Sequence, residues 1–195
     1  MITREQALGL IQEHVQNKNI IKHMVALEAV MGALYDLLSE RGNADLGGAK
    51  SEWMIAGLLH DGDYCDSVAH DKQGIQITQW AKDKGYEVPD SVSHAMAAHN
   101  WSNTGVAPEN LMDWAIFCAD SLTGLIVASA LVLPDKKLAN LTKESVLKRF
   151  KSPSFAAGTR REDIRLCEEK LGLSLEEFAW IALKAMQEIA TEPGL

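Results

Sequence analysis

The segment 58–67, LLHDGDYCDS, joins an aliphatic run to residues that ligate metals. His60 and Asp61 directly follow two leucines, and Asp63 and Asp66 come soon after. An apolar helix that ends in a solvated turn would explain this pattern without any chemistry. A metal site would explain it equally well, because imidazole nitrogen and carboxylate oxygen are ligands of Fe, Mn, Zn and Ni.

Helical periodicity predicts further ligand types on buried faces. Residues three, four or seven positions apart share one face of a helix, and on this spacing His23, His60, His99 and Asp120 each lie among apolar residues. A single inward histidine is most often a satisfied core residue. An isolated buried carboxylate such as Asp120 is costly unless it is paired or binds a cation. One cation between facing helices would account for these residues together with Asp61.

The elements that must position these residues are all predicted to be helices. Thr3 with Gln6 and Ser174 with Glu177 form capping-box patterns, and glycines or Pro134 follow several apolar-periodic runs. The expected helices cover residues 3–17, 20–40, 51–60, 72–84, 89–99, 110–133, 142–150, 161–171 and 175–190. Without a strand pattern, an internal repeat or a low-complexity tract, the chain is predicted to be an all-α single domain.

Composition favours a soluble cytoplasmic protein. The 195 residues are 47% hydrophobic and 24% charged, which suits one domain with its own core. The three cysteines, Cys65, Cys118 and Cys167, are too far apart for a disulfide framework or a thiolate zinc site. The N-terminus lacks a signal-peptide core. Residues 115–133 have the hydropathy of a membrane span, but they contain Asp120, so a buried core helix is expected and no membrane association.

The charge of the chain is unevenly distributed. A net charge of −8 argues against general nucleic-acid binding. Residues 134–165 nevertheless contain nine Lys or Arg and four Asp or Glu. This basic segment is either a surface for a phosphate-bearing ligand or a solvated face, and charge pattern alone leaves both open.

The order of the inward residues resembles a known signature. His23, the His60-Asp61 doublet and Asp120 stand where the HD superfamily of metal-dependent phosphohydrolases has its H…HD…D motif. The segments DSLTGLIVASALVLPDKKL and KRFKSPSFAAGTRREDI look like those of a small subfamily of bacterial HDIG-type hydrolases. The resemblance covers nearly the whole chain, although Gly62 stands where many relatives have isoleucine.

The resemblance implies a fold and a metal site. The fold would be an HD-type helical bundle with the metal between its central helices, as one HD domain over 1–195. Its core would span about 18–135 and a C-terminal helical extension about 136–195. The ions would be one or two of Fe, Mn, Zn, Ni or Mg. The first ion would be held by His23, His60, Asp61 and Asp120, and a second ion or a phosphate by His70 and His99.

The resemblance also implies hydrolysis of a phosphoester, for example a nucleotide, by a water that the metal activates. Asp61 would be the carboxylate bridging two ions. Asp63 would orient the site or act as a general base, or it is simply a turn residue. Some mononuclear relatives place a catalytic glutamate where this chain has Tyr64, which removes that variant of the mechanism.

Four residues are expected to contact a small phosphorylated substrate: Arg160, Lys136, Asn100 and Trp101. Arginine suits two-point contacts with phosphate. An aromatic ring beside the metal would stack on a base or pack in the core. For Arg160 and Lys136, solvated surface charge is an equally good interpretation.

Other functions fit the same residues. Some HD-type proteins hold two irons and activate oxygen, using the same ligand set. A non-catalytic helical signalling or binding module would have no use for intact ligands. A buried hydrogen-bond network without any ion is the simplest alternative. The sequence does not determine the substrate, the metal or the oligomeric state.

Overall fold

The computed structural model describes residues 1–190 and confirms an all-α fold, with ten α-helices and no strand in that range. The last five residues of the predicted C-terminal extension lie outside the described residues. The helices are α1 Arg4–His14, α2 Lys18–Glu40, α3 Lys50–Leu59, α4 Gln76–Asp83, α5 Asp90–His99, α6 Trp101–Thr104, α7 Leu111–Leu131, α8 Lys143–Phe150, α9 Arg161–Lys170 and α10 Leu175–Glu188. Single 3₁₀ turns cover His70–Lys72 and Leu138–Asn140.

The helix predicted over 72–84 begins four residues later, at Gln76. The 3₁₀ turn before it ends at Lys72, and Gly74, whose φ of +86° suits glycine, separates that turn from the helix. The first turn of α4 is capped from a distance, because the Asp63 carboxylate accepts the N–H of Ile77 at 2.9 Å. A cap that comes from thirteen residues upstream of the helix start leaves no local sequence signal.

The two predicted capping boxes differ. Thr3 and Gln6 each accept the other's backbone N–H, so that box is complete. Ser174 accepts the N–H of Glu177, but the Glu177 carboxylate forms an ion pair with Arg41 instead of returning to Ser174. That box is therefore only half formed, because a cation on the end of α2 competes for the carboxylate.

Helices α2 and α7 form the centre of the bundle. Helix α2 packs against α3, α7 and α10, and α7 also packs against α5 and α9. One continuous cluster of buried apolar residues runs from Ile2 to Met186 and includes Ile164 and Phe178 of the C-terminal helices. The described part of the C-terminal extension therefore shares the core of the preceding residues.

Among residues 1–190, α7 is the one helix that is long and apolar enough to cross a membrane. It is nevertheless 61% buried inside the bundle over its most apolar window. Its polar residues Asp113, Thr123 and Ser129 are fully buried, and Ser129 donates to a carbonyl one turn earlier. These features fit the core helix of a soluble protein.

Gly57 allows α3 to cross α2 at backbone contact. A Cβ atom at this position would lie 2.9 Å from the carbonyl oxygen of Leu27 and 3.0 Å from the nitrogen of Glu28. Neither backbone atom can move without shifting α2. The crossing lies one turn before His60, so the glycine sets how closely His60 approaches His23.

We expect Gly57→Ala to lower the free energy of unfolding by about 2 kcal/mol, because the added methyl forces the two backbones apart. Gly9→Ala is the matched control: Gly9 is an exposed glycine within α1 whose Cβ would meet nothing within 4 Å. It should gain about 0.5–1 kcal/mol from helix propensity. Urea unfolding of both variants measures the difference, and equal effects would contradict the role of the crossing.

The cysteines should differ sharply in reactivity. Burial, followed by the nearby Glu168 carboxylate, raises the pKa of Cys167 to about 12, and burial likewise raises the pKa of Cys118. Both thiols therefore stay protonated at about pH 8, where attack by thiolate is measured. Cys65 is partly exposed. A thiol-disulfide reagent should titrate one cysteine in the native protein and three in denaturant. More than one fast native thiol would mean that the core is open.

Candidate metal centre

Four helices bring a cluster of imidazoles and carboxylates to one point. His23 comes from the first half of α2, His60 and Asp61 from the end of α3, His99 from the last residue of α5, and Asp120 from the middle of α7. His23 Nε2 lies 3.1 Å from His60 Nε2 and 2.9 Å from Asp120 Oδ1. These five residues are called the His-Asp cluster below.

Part of this cluster already has the arrangement of a metal site. One ligand atom each from His23, His60 and Asp61 lie within 4.8 Å of one another, so these three residues could hold an ion. Asp61 Oδ2 is 3.4 Å from His60 Nε2, and Asp120 Oδ1 is 3.7 Å from the same nitrogen. Ligands about 2.1 Å from one ion are separated by about 3.0 Å in octahedral and about 3.4 Å in tetrahedral coordination.

Two histidines are held by backbone carbonyls. His60 Nδ1 lies 2.8 Å from the oxygen of Gly57, and His99 Nδ1 lies against the oxygen of Met96. A carbonyl only accepts, so in both rings the proton of the neutral imidazole is on Nδ1. Each Nε2 then carries a lone pair that points into the cluster. Metal-ligating histidines are commonly oriented in this way.

The His23 ring is oriented in the same way, by the hydroxyl group of Thr123. The Thr123 hydroxyl donates to the carbonyl oxygen of Asp120 at 2.7 Å, so its oxygen accepts from His23 Nδ1 at 3.1 Å. The lone pair of His23 Nε2 therefore also points into the cluster. Thr123 is fully buried and comes from the same helix as Asp120, so α7 supplies both a carboxylate of the cluster and the partner that orients His23.

The cluster therefore consists of acceptors that face one another. With its imidazoles neutral, His23 Nε2 and His60 Nε2 present two lone pairs at 3.1 Å, beside carboxylate oxygens that also only accept. Such groups repel unless a cation or a proton lies between them. The donor set of imidazole nitrogen and carboxylate oxygen, together with these spacings, fits a divalent transition metal.

A proton is the alternative to an ion. Burial opposes protonation of His60, but the Asp61 and Asp120 carboxylates outweigh it and raise its pKa to about 10. Burial acts against ionisation of both carboxylates as well, yet the imidazoles hold the pKa of Asp61 and of Asp120 below the usual range. The cluster accordingly attracts positive charge strongly, in the form of either a proton or a metal.

Asp61 faces two directions. Its Oδ2 points to His23 and His60, whereas its Oδ1 lies 3.5 Å from His99 Nε2. His99 is thus placed on the far side of the Asp61 carboxylate. His70, predicted as its companion, makes no described contact with the cluster: its Nδ1 lies 3.3 Å from Gln73 Oε1. Its role as a ligand stays a prediction.

The Asp63 carboxylate binds the backbone of the loop before α4 and the first turn of that helix. It is fully buried, and its Oδ1 accepts the N–H of Gly74 at 2.8 Å while Oδ2 caps α4. A Cβ on Gly74 would lie 2.3 Å from the oxygen of Met96 and 3.1 Å from His99 Cε1. Asp63 therefore fixes the loop that backs His99. Both oxygens of Asp63 already accept backbone hydrogen bonds. This favours a role in orienting the site or stabilising the turn over a role as general base.

Gly62, which follows the His60-Asp61 doublet, packs against a side chain of α4. A Cβ at Gly62 would lie 2.9 Å from the Cδ1 atom of Ile77. The isoleucine side chain thus occupies the space next to the glycine.

A cavity of about 430 Å³ opens beside the cluster. We call it the Arg160 cavity; it is lined by His23, Asp120, Ser121, Gly124 and residues 156–160. Arg160 Nη2 is 3.8 Å from Asp120 Oδ2, and Arg160 Nε forms an ion pair with Asp163 Oδ2 at 2.8 Å. The guanidinium also stacks over Phe117. Arg160 is therefore held in place at the edge of the cluster.

Arg161 holds the loop that carries Arg160. Its Nε donates to the carbonyl of Phe150 at 2.8 Å, and its Nη atoms donate to the carbonyls of Ser152 and Thr159 at 2.9 and 3.3 Å. Sequence reasoning did not find this role, nor that of Thr123 or Gly57. A helical arginine or threonine carries no local sign that its partners lie on another element or loop.

The other expected substrate residues have different surroundings. Asn100 donates to the carbonyls of His70 and Gln73 and accepts from Asn103, so its amide is engaged in the loop. Trp101 is 41% exposed and packs edge-on against Trp114 and Phe117. Lys136 lines a further cavity that also touches His23.

Much of the basic segment serves the fold. Lys143 pairs with Glu176, Arg149 bonds to Ser145, and Arg165 lies over the ring of Phe150. Arg160 and Lys136 are the members of this segment that line the described cavities at His23. The segment is therefore not one continuous phosphate-binding face.

We expect Thr123→Val to weaken metal binding by about 10–100-fold, since His23 loses the partner that fixes its tautomer. The fold should persist, because valine has the same shape. Thr78→Val, in a buried threonine of α4 whose hydroxyl contacts Ser93, is the control and should bind the ion like wild type. Competition with a chelating indicator measures the affinity. Unchanged binding in Thr123→Val would contradict the orienting role.

The comparisons with known proteins assign no family to this chain. Searches against protein-family models, curated proteins and solved structures each gave no match. The HD resemblance stays a prediction that rests on the residues of the motif.

Proposed function

We propose that this protein is a metal-dependent phosphohydrolase of the HD type that acts on a small phosphoester in the cytoplasm. The observation that supports it best is the His-Asp cluster. With neutral imidazoles its facing atoms are all acceptors, and they lie beside a cavity whose edge carries the paired Arg160 guanidinium. An ion at the cluster and a phosphate at Arg160 would satisfy both features.

A bound divalent ion supplies a water of lowered pKa and polarises the phosphoryl oxygens. His23, His60, Asp61 and Asp120 would hold that ion through their facing nitrogen and oxygen atoms. Arg160 receives the phosphate, since its guanidinium is paired with Asp163 through Nε and its Nη2 lies 3.8 Å from Asp120 Oδ2 at the edge of the cavity. Guanidinium geometry suits two-point contact with phosphate oxygens.

The position of Asp61 supports two ions. Its Oδ2 faces His23 and His60, and its Oδ1 faces His99, as expected for a bridging carboxylate. His99, and His70 after a local movement, would complete the second site or bind the phosphate directly. The ligand types accept Fe, Mn, Zn or Ni, with Mg as a further candidate for the phosphate-facing side.

A di-iron oxygenase would use the same ligands and is the second candidate. Phosphate hydrolysis is favoured because the cavity next to Asp120 is edged by Arg160. Oxygen chemistry has no need of an arginine there. A cluster without any ion, in a binding module, would instead keep His60 protonated.

The test combines metal analysis and turnover. We expect the purified protein to contain one or two equivalents of transition metal and to hydrolyse p-nitrophenyl phosphate when Mn²⁺ is supplied. Loss of a ligand should reduce kcat/KM by more than about 100-fold. His60→Ala and the isosteric Asp120→Asn should both lose metal and activity. His14→Ala is the control, because His14 stacks on Trp80 rather than joining the cluster.

Two results would contradict the proposal. Oxygen uptake by the iron-loaded protein without phosphate release would favour the oxygenase. Absence of metal in wild type and His60→Ala, even after reconstitution, would leave a helical binding module with a protonated cluster.

A further inference from the structure

A second cavity meets the Arg160 cavity at the His-Asp cluster. It has a volume of about 640 Å³ and lies between the start of α2, the second half of α7 and the turn after α7. We call it the Leu131 cavity, and its walls include Asn19, Val127, Ala128, Leu131, Lys136 and Leu138. His23 and Gly124 line both cavities.

Gly124 lines both cavities and leaves open space between them. It is an exposed glycine on α7, and a Cβ at this position would meet nothing within 4 Å. The surface of the helix is therefore open from Asp120, one turn before, to Ala128, one turn after. A molecule bound at the cluster can extend along α7 over this glycine.

The backbone is strained at both cavities. Within residues 1–190, two residues other than glycine have positive φ: Lys136 at 54° and Ala156 at 46°. Lys136 lines the Leu131 cavity and Ala156 the Arg160 cavity. Left-handed backbone at a side-chain-bearing residue costs about 1–2 kcal/mol and concentrates at ligand sites. The turn at Lys136 is held by Asp135, which accepts the N–H of Lys137 and the amide of Asn140.

The walls of the Leu131 cavity define the chemistry of an occupant. Val127, Ala128, Leu131 and Leu138 present aliphatic surface, and Leu131 is 57% exposed. Lys136 adds a cation at the rim. The volume lies within the range of small-molecule sites, about 300–1,000 Å³. The cavity therefore suits an elongated aliphatic group that ends in an acidic group.

We propose that one substrate occupies both cavities: a phosphomonoester whose phosphate lies at the His-Asp cluster and Arg160, and whose aliphatic chain crosses Gly124 into the Leu131 cavity and ends in an acidic group at Lys136. This inference rests on the proposed function for the phosphate end. The Leu131 cavity then sets specificity for the alcohol portion.

Phosphonates test the binding separately from catalysis, because they are not cleaved. Calorimetry with the full-length, Mn²⁺-loaded protein would compare methylphosphonate, hexylphosphonate and a phosphonohexanoate with its carboxylate at the far end. A fully buried methylene is worth about fourfold in affinity. We expect hexylphosphonate to bind at least about tenfold more tightly than methylphosphonate. The terminal carboxylate should add about threefold at low salt.

Three variants locate the effect. Gly124→Leu should reduce the hexyl-to-methyl affinity ratio to about one, because the side chain fills the passage between the cavities. Gly9→Leu is the matched control, an exposed helical glycine with equally open surroundings, and it should keep the wild-type ratio. Lys136→Met should keep the gain from chain length and lose the gain from the carboxylate.

Equal affinities for methylphosphonate and hexylphosphonate in wild type would overturn the inference. An unchanged ratio in Gly124→Leu, or a lost ratio in Gly9→Leu, would also overturn it. If chain length raises the affinity through Gly124 while no phosphoester is hydrolysed, the two-part site stands and the proposed catalysis fails.

Discussion

The constraint on which the rest of the structure depends is electrostatic: a set of imidazole nitrogens and carboxylate oxygens that are all acceptors when the imidazoles are neutral, and that therefore need a proton or a cation among them. His23 Nε2 and His60 Nε2 lie 3.1 Å apart beside the oxygens of Asp61 and Asp120. Their repulsion must be offset by positive charge and by the packing that holds the helices together. The close crossing at Gly57, with its backbone contact to Leu27, is what brings the two imidazoles to this distance.

The surroundings of the cluster serve orientation. Backbone carbonyls and the Thr123 hydroxyl accept hydrogen bonds from the Nδ1–H groups of the three histidines. The lone pairs of their Nε2 atoms therefore point into the cluster. Both carboxylate oxygens of Asp63 accept hydrogen bonds from the backbone behind His99. The Arg161 guanidinium donates hydrogen bonds to carbonyls of the loop that carries Arg160. Buried polar groups of this kind cost stability if they lose a partner. They hold the side chains of the His-Asp cluster and the Arg160 guanidinium in place, which would reduce the cost of ordering them if the site binds a ligand.

Much of the architecture was predictable because the helices are long and strongly periodic. The apolar run of α7, the buried positions of His60 and His99 and the partly buried positions of His23 and Asp120 follow from residue spacing. The start of α4 was placed four residues too early, since its cap is the distant Asp63. The second capping box was only half correct, because Arg41 from α2 takes the Glu177 carboxylate. The basic segment 134–165 was treated as a single surface in the sequence, but in the structure its lysines and arginines have separate partners.

The sequence by itself determined the fold class, the helix faces and the residue types that meet in the interior. These follow from local periodicity, which the chain carries along its length. The tertiary structure decided which nitrogen of each histidine points inward, which carboxylates already have hydrogen-bond or ion-pair partners, and which cationic side chains line a cavity. Those properties depend on partners far apart in sequence, such as Thr123 for His23 and Asp163 with Phe117 for Arg160. Hydrogen bonds and ion pairs act over a few ångströms, so only the folded chain specifies them.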